Sequence, residues 1–525
     1  MRLRLIRYLV VIACLAAWCA QPERIHAQSG TLIVGELSEP VTLDPYLSND
    51  MTSLRWADII YSSLVRINEN LEIVPDLAES WTTGRDSEGR ATMTFTLRDD
   101  LFWHDGVPVS SSDVIATWRA ASDPETPTAQ HSRFFGIRAM TAVDGRTLQV
   151  TFSEEFSADI GTMTFKVLPE HHLRTGVYDQ THSLARQPVG TGPFRFSQWI
   201  DGQFVILTAN NRYHEEGIPR IERVIIRFFQ ENQNTLLTAL ELGDINMVLD
   251  VPPEQIQRFR ANRDINLYNY FAHAYDFIAF NLSRSPLDQP VLREAIVLAT
   301  DRSRMVEQIY QGHAQQISGP FPLNSWAYNA SIAPREHDLA RARTMLDRAG
   351  IVDTDGNGIR EYEGEDLVFR LLFIAGDDLV LRRVLAFRAY MEALGIGIEA
   401  EPLPLRLFMQ RVFEQRDFDL FTSGWNIGVD PDPYSIWFSG EIGSGLNAVG
   451  YFNPDVDTLI LDARRTSDRR ERELLYYRVH DLVHRDMPYI FLWTRERTLA
   501  LSRDFEGFIV NHFELTRGIA GVRRR

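Results

Sequence analysis

Cysteine is nearly absent. The 525-residue chain has two, Cys14 and Cys19, and both precede residue 28. Beyond them the chain can form no internal disulfide and offers no thiol nucleophile, so its stability must come from buried apolar cores. Neither a G-x-S-x-G elbow nor an H-E-x-x-H helix occurs, which removes two recurrent hydrolase signatures. No low-complexity linker and no repeat of fixed period interrupts the chain. The longest apolar run, Tyr8 to Ala20, is too short to span a bilayer comfortably. Positive charge is also scarce: 54 Lys and Arg against 71 Asp and Glu give a net charge of -17. So acidic a body repels nucleic acid and anionic lipid, which excludes both as partners and favours a cationic or amine-bearing solute over an anionic one.

What is present is enough for several cores. The chain is 44% hydrophobic and 11% aromatic, and its length corresponds to roughly three domains at ~150 residues each. Its first residues read as an export signal: Arg2, Arg4 and Arg7, then the apolar run, then Ile25-His26-Ala27 ending in a small residue. Trp18 before Cys19 fits a lipid-attachment site poorly, so residues 1-27 are expected to be cleaved rather than lipidated. Their loss removes four arginines and one glutamate and leaves a net charge of -20.

Strand and helix signals alternate over almost the whole length, an α/β organisation with mixed sheets. Strands are expected at 31-34, 92-97, 367-374, 396-401 and 418-423, and helices at 54-67, 341-349 and 379-394. A hairpin over 138-153 closes on Asp144-Gly145. His104-Asp105-Gly106 supplies turn chemistry, and Ser110 with Asp113 forms a capping box ahead of Val114.

The segment PDLAESW, TMTFTLRDDLFWHDG and PVSSSDV, from Pro75 to Val114, resembles the opening domain of the extracytoplasmic solute-binding proteins, family 5. Further segments are similar to the same family in the same order. They are Val189-Gly190-Thr191-Gly192-Pro193-Phe194, Asn281-Leu282 with Leu292 to Ile296, Asp417-Phe418-Asp419 leading to Gly424-Trp425, and Phe505 to Phe508. The resemblance implies a two-lobed periplasmic-binding-protein fold with a hinge and an extra small domain on the first lobe. Carried over, the first lobe comprises 31-72, 190-281 and 490-525, the extra domain 73-189 and the second lobe 282-489. It implies a monomeric receptor, not an enzyme, that takes a peptide or similar small polar solute from outside the cytoplasm to the permease of an ABC importer. A secreted hydrolase of peptides or oligosaccharides is the alternative, because a triad is defined by geometry and not by spacing.

For the ligand site, Trp425 and Asn426 lie where a strand end meets the expected crevice. Peptide-binding members of the family place an ammonium-pairing acid three residues after this Trp. Here that position is Gly428, and the acids come later, at Asp430 and Asp432, where they either take over the role or cap a turn. Asn49, Asp50 and Met51 match the family's ligand-facing loop of the first lobe, and Tyr275 and Trp493 are expected to close the cleft walls. No cofactor is implied. Asp353, Asp355, Asn357 and Glu361 have the oxygen spacing of a calcium loop through its first half, with Gly364 at the twelfth position in place of Glu. His480 and His484 have i,i+4 spacing but no third ligand nearby, and a solvated helix face is expected for them. Gly395 to Ala400 fits a dinucleotide fingerprint as a string but follows a helix and enters a strand, which rules it out. If the signal reading holds, N-terminal sequencing of the exported protein will begin at or next to Gln28. A mature chain starting with lipidated Cys14 or Cys19 would refute it.

Overall fold

The computed structural model describes residues 30-525 except 49, 129, 154-159, 176, 231, 444 and 467. The expected export segment and Asn49 therefore lie outside the described residues.

Twelve strands form the main sheet. In chain order they are β1 (Thr31–Glu36), β2 (Phe194–Ile200), β3 (Phe204–Ala209), β4 (Arg223–Phe228), β5 (Met247–Val248) and β6 (Ile265–Phe271). Then come β7 (Ala274–Phe280), β8 (Ala314–Gln316), β9 (Val368–Ile374), β10 (Gly397–Leu403), β11 (Leu420–Asn426) and β12 (Tyr489–Ser502). The order across the sheet is β10-β9-β11-β7-β12-β5-β1-β4-β3-β2, with β6 and β8 also paired to β12. β1 is parallel to β4 and β5, and β9 to β10 and β11, while the remaining pairs are antiparallel, so the sheet is mixed as the sequence implies.

β12 belongs to both halves. Trp493 pairs opposite Asp276 of β7, Arg495 opposite Ala314 of β8, and Leu501 opposite Asn266 of β6 and Met247 of β5. Separate apolar cores cover the two halves. Leu32, Val34 and Val224 lie in one cluster, and Ile33 and Ile225 in a second on the opposite face. Ile278 and Leu371 lie in a third, Phe277 and Phe421 in a fourth. The strand pairing puts the change of lobe at Ala272-His273 and within β12, not after residue 281 and before 490. β7 pairs with β11 along its whole length and so lies with the second half.

An antiparallel sheet in the order Ala78–Arg85, Ala91–Leu97, Thr147–Phe152, Ile137–Ala142 builds the extra region. The period-two pattern of its second strand buries Met93, Phe95 and Leu97, and these join the same core as Leu32 and Val34. The helix that follows, Ser111–Ser122, carries the expected capping box at Ser110 and Asp113.

The expected helix 54-67 is shorter, Met51–Ala57, and is followed by a strand at Val65–Ile67. The reason lies in its carbonyls. Ile60 O accepts the N–H of Gly192 at 2.8 Å and Ile59 O that of Phe194 at 3.1 Å, so these groups are committed to the Val189–Phe194 segment and are lost to a helix ladder. The glycines permit the approach: a Cβ on Gly190 would sit 1.9 Å from Ile60 O, and one on Gly192 would sit 2.5 Å from Ile59 O. His104 completes the junction, its Nδ1 accepting from Gly190 N at 3.2 Å and its Nε2 lying 3.0 Å from Gly192 O. Burial holds its pKa down at about 4, so it packs as a neutral imidazole. The two segments most recognisable in the sequence are thus one contact in space. Gly190→Ala forces backbone apart from backbone and is expected to cost about 3 kcal/mol or more. A thermal unfolding midpoint equal to the parent's would show that the close approach is dispensable.

Candidate functional site

A cavity of about 1000 Å³ lies between the lobes. Pro45, Met51, Asp58 and Lys166 line it on one side, and the segment from Asn426 to Asp432 on the other. Met51 opens the helix Met51–Ala57, which Asp50 caps by accepting Ser53 N at 2.8 Å, and its side chain is 61% exposed. Of the three residues matched at this loop, Met51 lines the cavity and Asp50 caps the helix, while Asn49 lies outside the described residues.

The opposite wall is built by β11 and the loop after it. Asn426 lines the cavity, whereas Trp425 backs it: its half-buried ring stacks on Phe277, with centroids 5.9 Å apart, and meets Phe413 edge-on at 6.0 Å. Asp430 faces the cavity with its charge engaged, since Arg472 Nη2 donates to both of its oxygens at 2.6 and 2.7 Å. Asp432 pairs with Arg464 at 3.0 Å and accepts Tyr434 N at 3.1 Å, which makes it a turn cap. Burial pushes its carboxyl up to about 6 even so. Trp326 Nε1 donates to Val429 O at 3.0 Å and fixes the loop from behind. The charges that this wall presents are already paired.

Tyr275 and Trp493 are buried, 2% and 0% exposed; Tyr275 borders the smaller cavity described below, whereas Trp493 lines neither cavity. Between them in the sheet lies Asp276, whose buried carboxylate accepts Trp493 Nε1 at 2.9 Å and Arg495 at 2.7 and 3.0 Å, with Arg383 Nη1 a further 3.3 Å away. A register shift in the β7–β12 ladder falls just after Asp276. Burial opposes its charge, but the two guanidinium groups prevail and hold its pKa at about 2. Arg383 is 1% exposed, and its Nε and Nη1 have no hydrogen-bond partner among the described residues. It borders a second cavity of about 310 Å³, lined also by Arg495, Arg497 and Asn426, the residue common to both cavities. Nothing in the sequence marked Asp276, Arg383 or Glu514 as site residues. A signal did exist for Lys166, the chain's only lysine.

In the 353-361 loop, Asp353, Asp355 and Glu361 bring oxygens within 4.8 Å of one another. These oxygens also serve the loop itself: Asp353 accepts from Gly356 and Gly358 N at 2.7 and 2.9 Å, Asp355 from Asn357 N at 2.9 Å, and Glu361 from Thr354 N at 3.0 Å. Asn357 Oδ1 accepts Ile359 N at 2.7 Å, so the motif closes a tight turn into the hairpin at Glu361–Tyr362 and Glu365–Asp366. His480 does not lie on a solvated face. It is fully buried, with Nε2 2.9 Å from Ser318 Oγ and Nδ1 accepting Asn329 N at 3.2 Å, and burial lowers its pKa to about 3.

Two lobes joined by a shared strand and a short crossing, with a cavity between them, define the chain as a periplasmic-binding-protein fold. It belongs to the bacterial extracellular solute-binding proteins, family 5, whose model matches residues 72–445. The oligopeptide-binding protein AppA of Bacillus subtilis (strain 168) is 26% identical over 492 residues, 92% of this chain and 89% of the relative. A probable D,D-dipeptide-binding periplasmic protein of Escherichia coli (strain K12) is 28% identical over 498 residues, 91% of each. Among solved structures, Bacillus subtilis AppA in complex with a nonapeptide superposes with a TM-score of 0.78 at 24% identity, covering 95% of this chain and 99% of that one. NikA of Brucella suis in complex with Fe(III)-EDTA gives 0.83 at 20% identity, covering 94% and 100%.

The buried carboxylate at the lobe crossing makes a prediction. Its folded pKa of about 2 lies below the ordinary 3.8, so its contribution to stability is present above about pH 4 and is lost as pH falls towards 2. Asp276→Asn should cost about 3 to 5 kcal/mol at pH 7 by leaving Arg383 and Arg495 without their acid. It should also flatten the decline in stability between pH 4 and 2. Urea unfolding across a pH series measures both, and an unchanged midpoint at pH 7 would refute the role.

Proposed function

We propose that this protein is the extracytoplasmic receptor of an ABC importer, one that takes up a peptide or similar small polar solute and hands it over intact. The observation that carries this reading is the cavity of about 1000 Å³ walled from both lobes, which is large enough for a short peptide. The relatives support a solute of this kind, for they are named for oligopeptide and D,D-dipeptide binding. Asn426 joins this cavity to the smaller one, and we assign the smaller space to an anionic end of the solute, because three arginines, Arg383, Arg495 and Arg497, line it against two acids, Asp276 and Asp377, and Arg383 Nε is buried there with no hydrogen-bond partner among the described residues. The crossing at Ala272-His273 and the middle of β12 act as the hinge, and a solute touching both walls favours the closed form by its differential affinity. The receptor works as a monomer outside the cytoplasm after removal of residues 1-27, and its macromolecular partner is the permease.

The hydrolase alternative lacks the histidine of a Ser-His-Asp triad here: among the described residues, the cavity lining includes serine and threonine but no histidine. Incubation with a peptide mixture, followed by desalting and mass spectrometry, tests the reading. Peptides retained intact on the folded protein are expected. Cleaved products, or no retention at all, would refute it.

A further inference from the structure

Away from the solute cavity, the turn His104-Asp105-Gly106 meets the short helix Glu170–Leu173, and three side chains converge there. His171 Nε2 lies 2.8 Å and His172 Nε2 3.4 Å from the same oxygen, Asp105 Oδ2. The two imidazoles stand with ring centroids 4.7 Å apart and planes at 55°. Successive residues of a helix ordinarily point apart, so the meeting of neighbouring histidines at one oxygen does not follow from the helix itself. The three ligand-bearing atoms all lie within 4.8 Å of one another. Each partner is held from behind. Asp105 Oδ1 accepts Val107 N at 3.1 Å, which leaves Oδ2 for the histidines. The helix is fixed by its first residue: Asp113 Oδ1 accepts Glu170 N at 2.8 Å, and the Glu170 carboxylate takes Ser112 Oγ at 2.7 Å and Arg174 Nη2 at 2.6 Å. His104 of the same turn is already committed through both ring nitrogens to Gly190 and Gly192.

The geometry points to a site for one divalent first-row transition ion, of which zinc is the probe, with His171, His172 and Asp105 as its protein ligands. Two imidazole nitrogens and one carboxylate oxygen suit such an ion, and do not suit calcium or magnesium, which take oxygen shells. A tetrahedral ion with bonds of ~2.0 to 2.2 Å sets its ligand atoms about 3.3 to 3.6 Å apart. The recorded separations of 2.8 and 3.4 Å come close, and a small outward rotation of His171 meets the requirement. Without an ion, both histidines must carry a proton on Nε2 to bond the one oxygen. The ion replaces both protons and engages all three atoms at once. The side chains of His171, His172 and Asp105 are 35%, 28% and 31% exposed, so water can complete the coordination shell. His172 and Asp105 border a cavity of about 370 Å³ whose lining includes Arg195, a positive charge that holds the expected affinity to the micromolar range. None of the three ligands lines the solute cavity, so the site stands independently of the receptor reading. Its effect is structural: the ion ties Asp105 to His171, 66 residues further on, and so secures the turn whose His104 seats Gly190 and Gly192. Bound to the folded chain alone, it stabilises that chain by mass action.

The test uses the full exported chain, without a histidine tag and stripped with chelator; no cysteine lies beyond Cys19 to compete for the ion. Calorimetric titration with Zn²⁺ should show one ion per chain at micromolar affinity, and Zn²⁺ should raise the thermal unfolding midpoint. Co²⁺ in its place should give a visible absorption band that added Zn²⁺ abolishes. Asp105→Asn, which keeps an acceptor for Val107 N, should weaken Zn²⁺ binding about tenfold or more and lose the Co²⁺ band, as should His171→Gln and His172→Gln. Asp355→Asn, in the exposed acidic turn at 353-361, should bind Zn²⁺ as the parent does. Thermal unfolding without metal establishes that each variant is folded. A parent that binds no Zn²⁺ at micromolar concentrations, an affinity undiminished in the folded site variants, or one lost in Asp355→Asn instead, overturns the site.

Discussion

One carboxylate, buried where the chain passes between lobes, conditions the rest of the molecule. Asp276 is the acceptor for Trp493 and Arg495 of β12 and the counter-charge of Arg383, which comes from the helix Asp378–Leu394. A charge so deep is tolerated only because its lone pairs are filled by charge-assisted bonds from Trp493 and Arg495 of β12, with the Arg383 guanidinium of the helix as a second counter-charge. β12 is thereby locked to β7 where it leaves one half of the sheet for the other, and the helix is drawn against the strand ends that frame the smaller cavity. The cost of the arrangement falls on Arg383, which has more donors than Asp276 can accept.

The wall bearing Lys166 is arranged differently. There Lys166 is held between Asp58 and Glu514, and Arg133 lines the same cavity. The two cavities meet at Asn426. On the loop after β11, Asp430 and Asp432 are matched in pairs by Arg472 and Arg464. Net charge obscured this, because a total of -17 averages over a surface whose only lysine is held between two acids. The acidic surface governs solubility and long-range repulsion.

Much of the fold was legible because its signals are local. The alternation at Ala91–Leu97, the capping box at Ser110, and the hairpin at Asp144-Gly145 each depend on residues within one turn or one strand pair. The Gly190–Phe194 segment was legible as a motif, but its reason was not, since that reason is the backbone of Ile59 and Ile60, some 130 residues earlier. The expected helix 54-67 was cut short by the same contact. In the site, Asp430 and Asp432 were visible as acids in a loop, yet their partners Arg472 and Arg464 come from helices beyond the loop. Trp425 and Trp493 were visible as aromatics, but the register and core packing that place them behind the walls are long-range facts. His480 was judged by its helix alone, while its burial comes from Ser318 and Asn329 on another segment.

The crossing itself ties recognition to motion. His273 lies in the two-residue passage from β6 to β7, where its backbone O accepts Ile427 N at 3.0 Å and its Nδ1 lies 2.7 Å from Ile427 O. Its ring also packs on Phe513, with centroids 4.5 Å apart, and Phe513 is adjacent to Glu514. Burial lowers the His273 pKa to about 4, so the imidazole remains a neutral structural link. The loop of one cavity wall and the acid of the other therefore both bear on one residue of the crossing. A rotation of the lobes about that passage must carry the Ile427 segment with it and change its separation from Glu514. Occupancy of the cavity and the angle between the lobes are then two descriptions of one equilibrium, joined by a pair of hydrogen bonds and a ring contact.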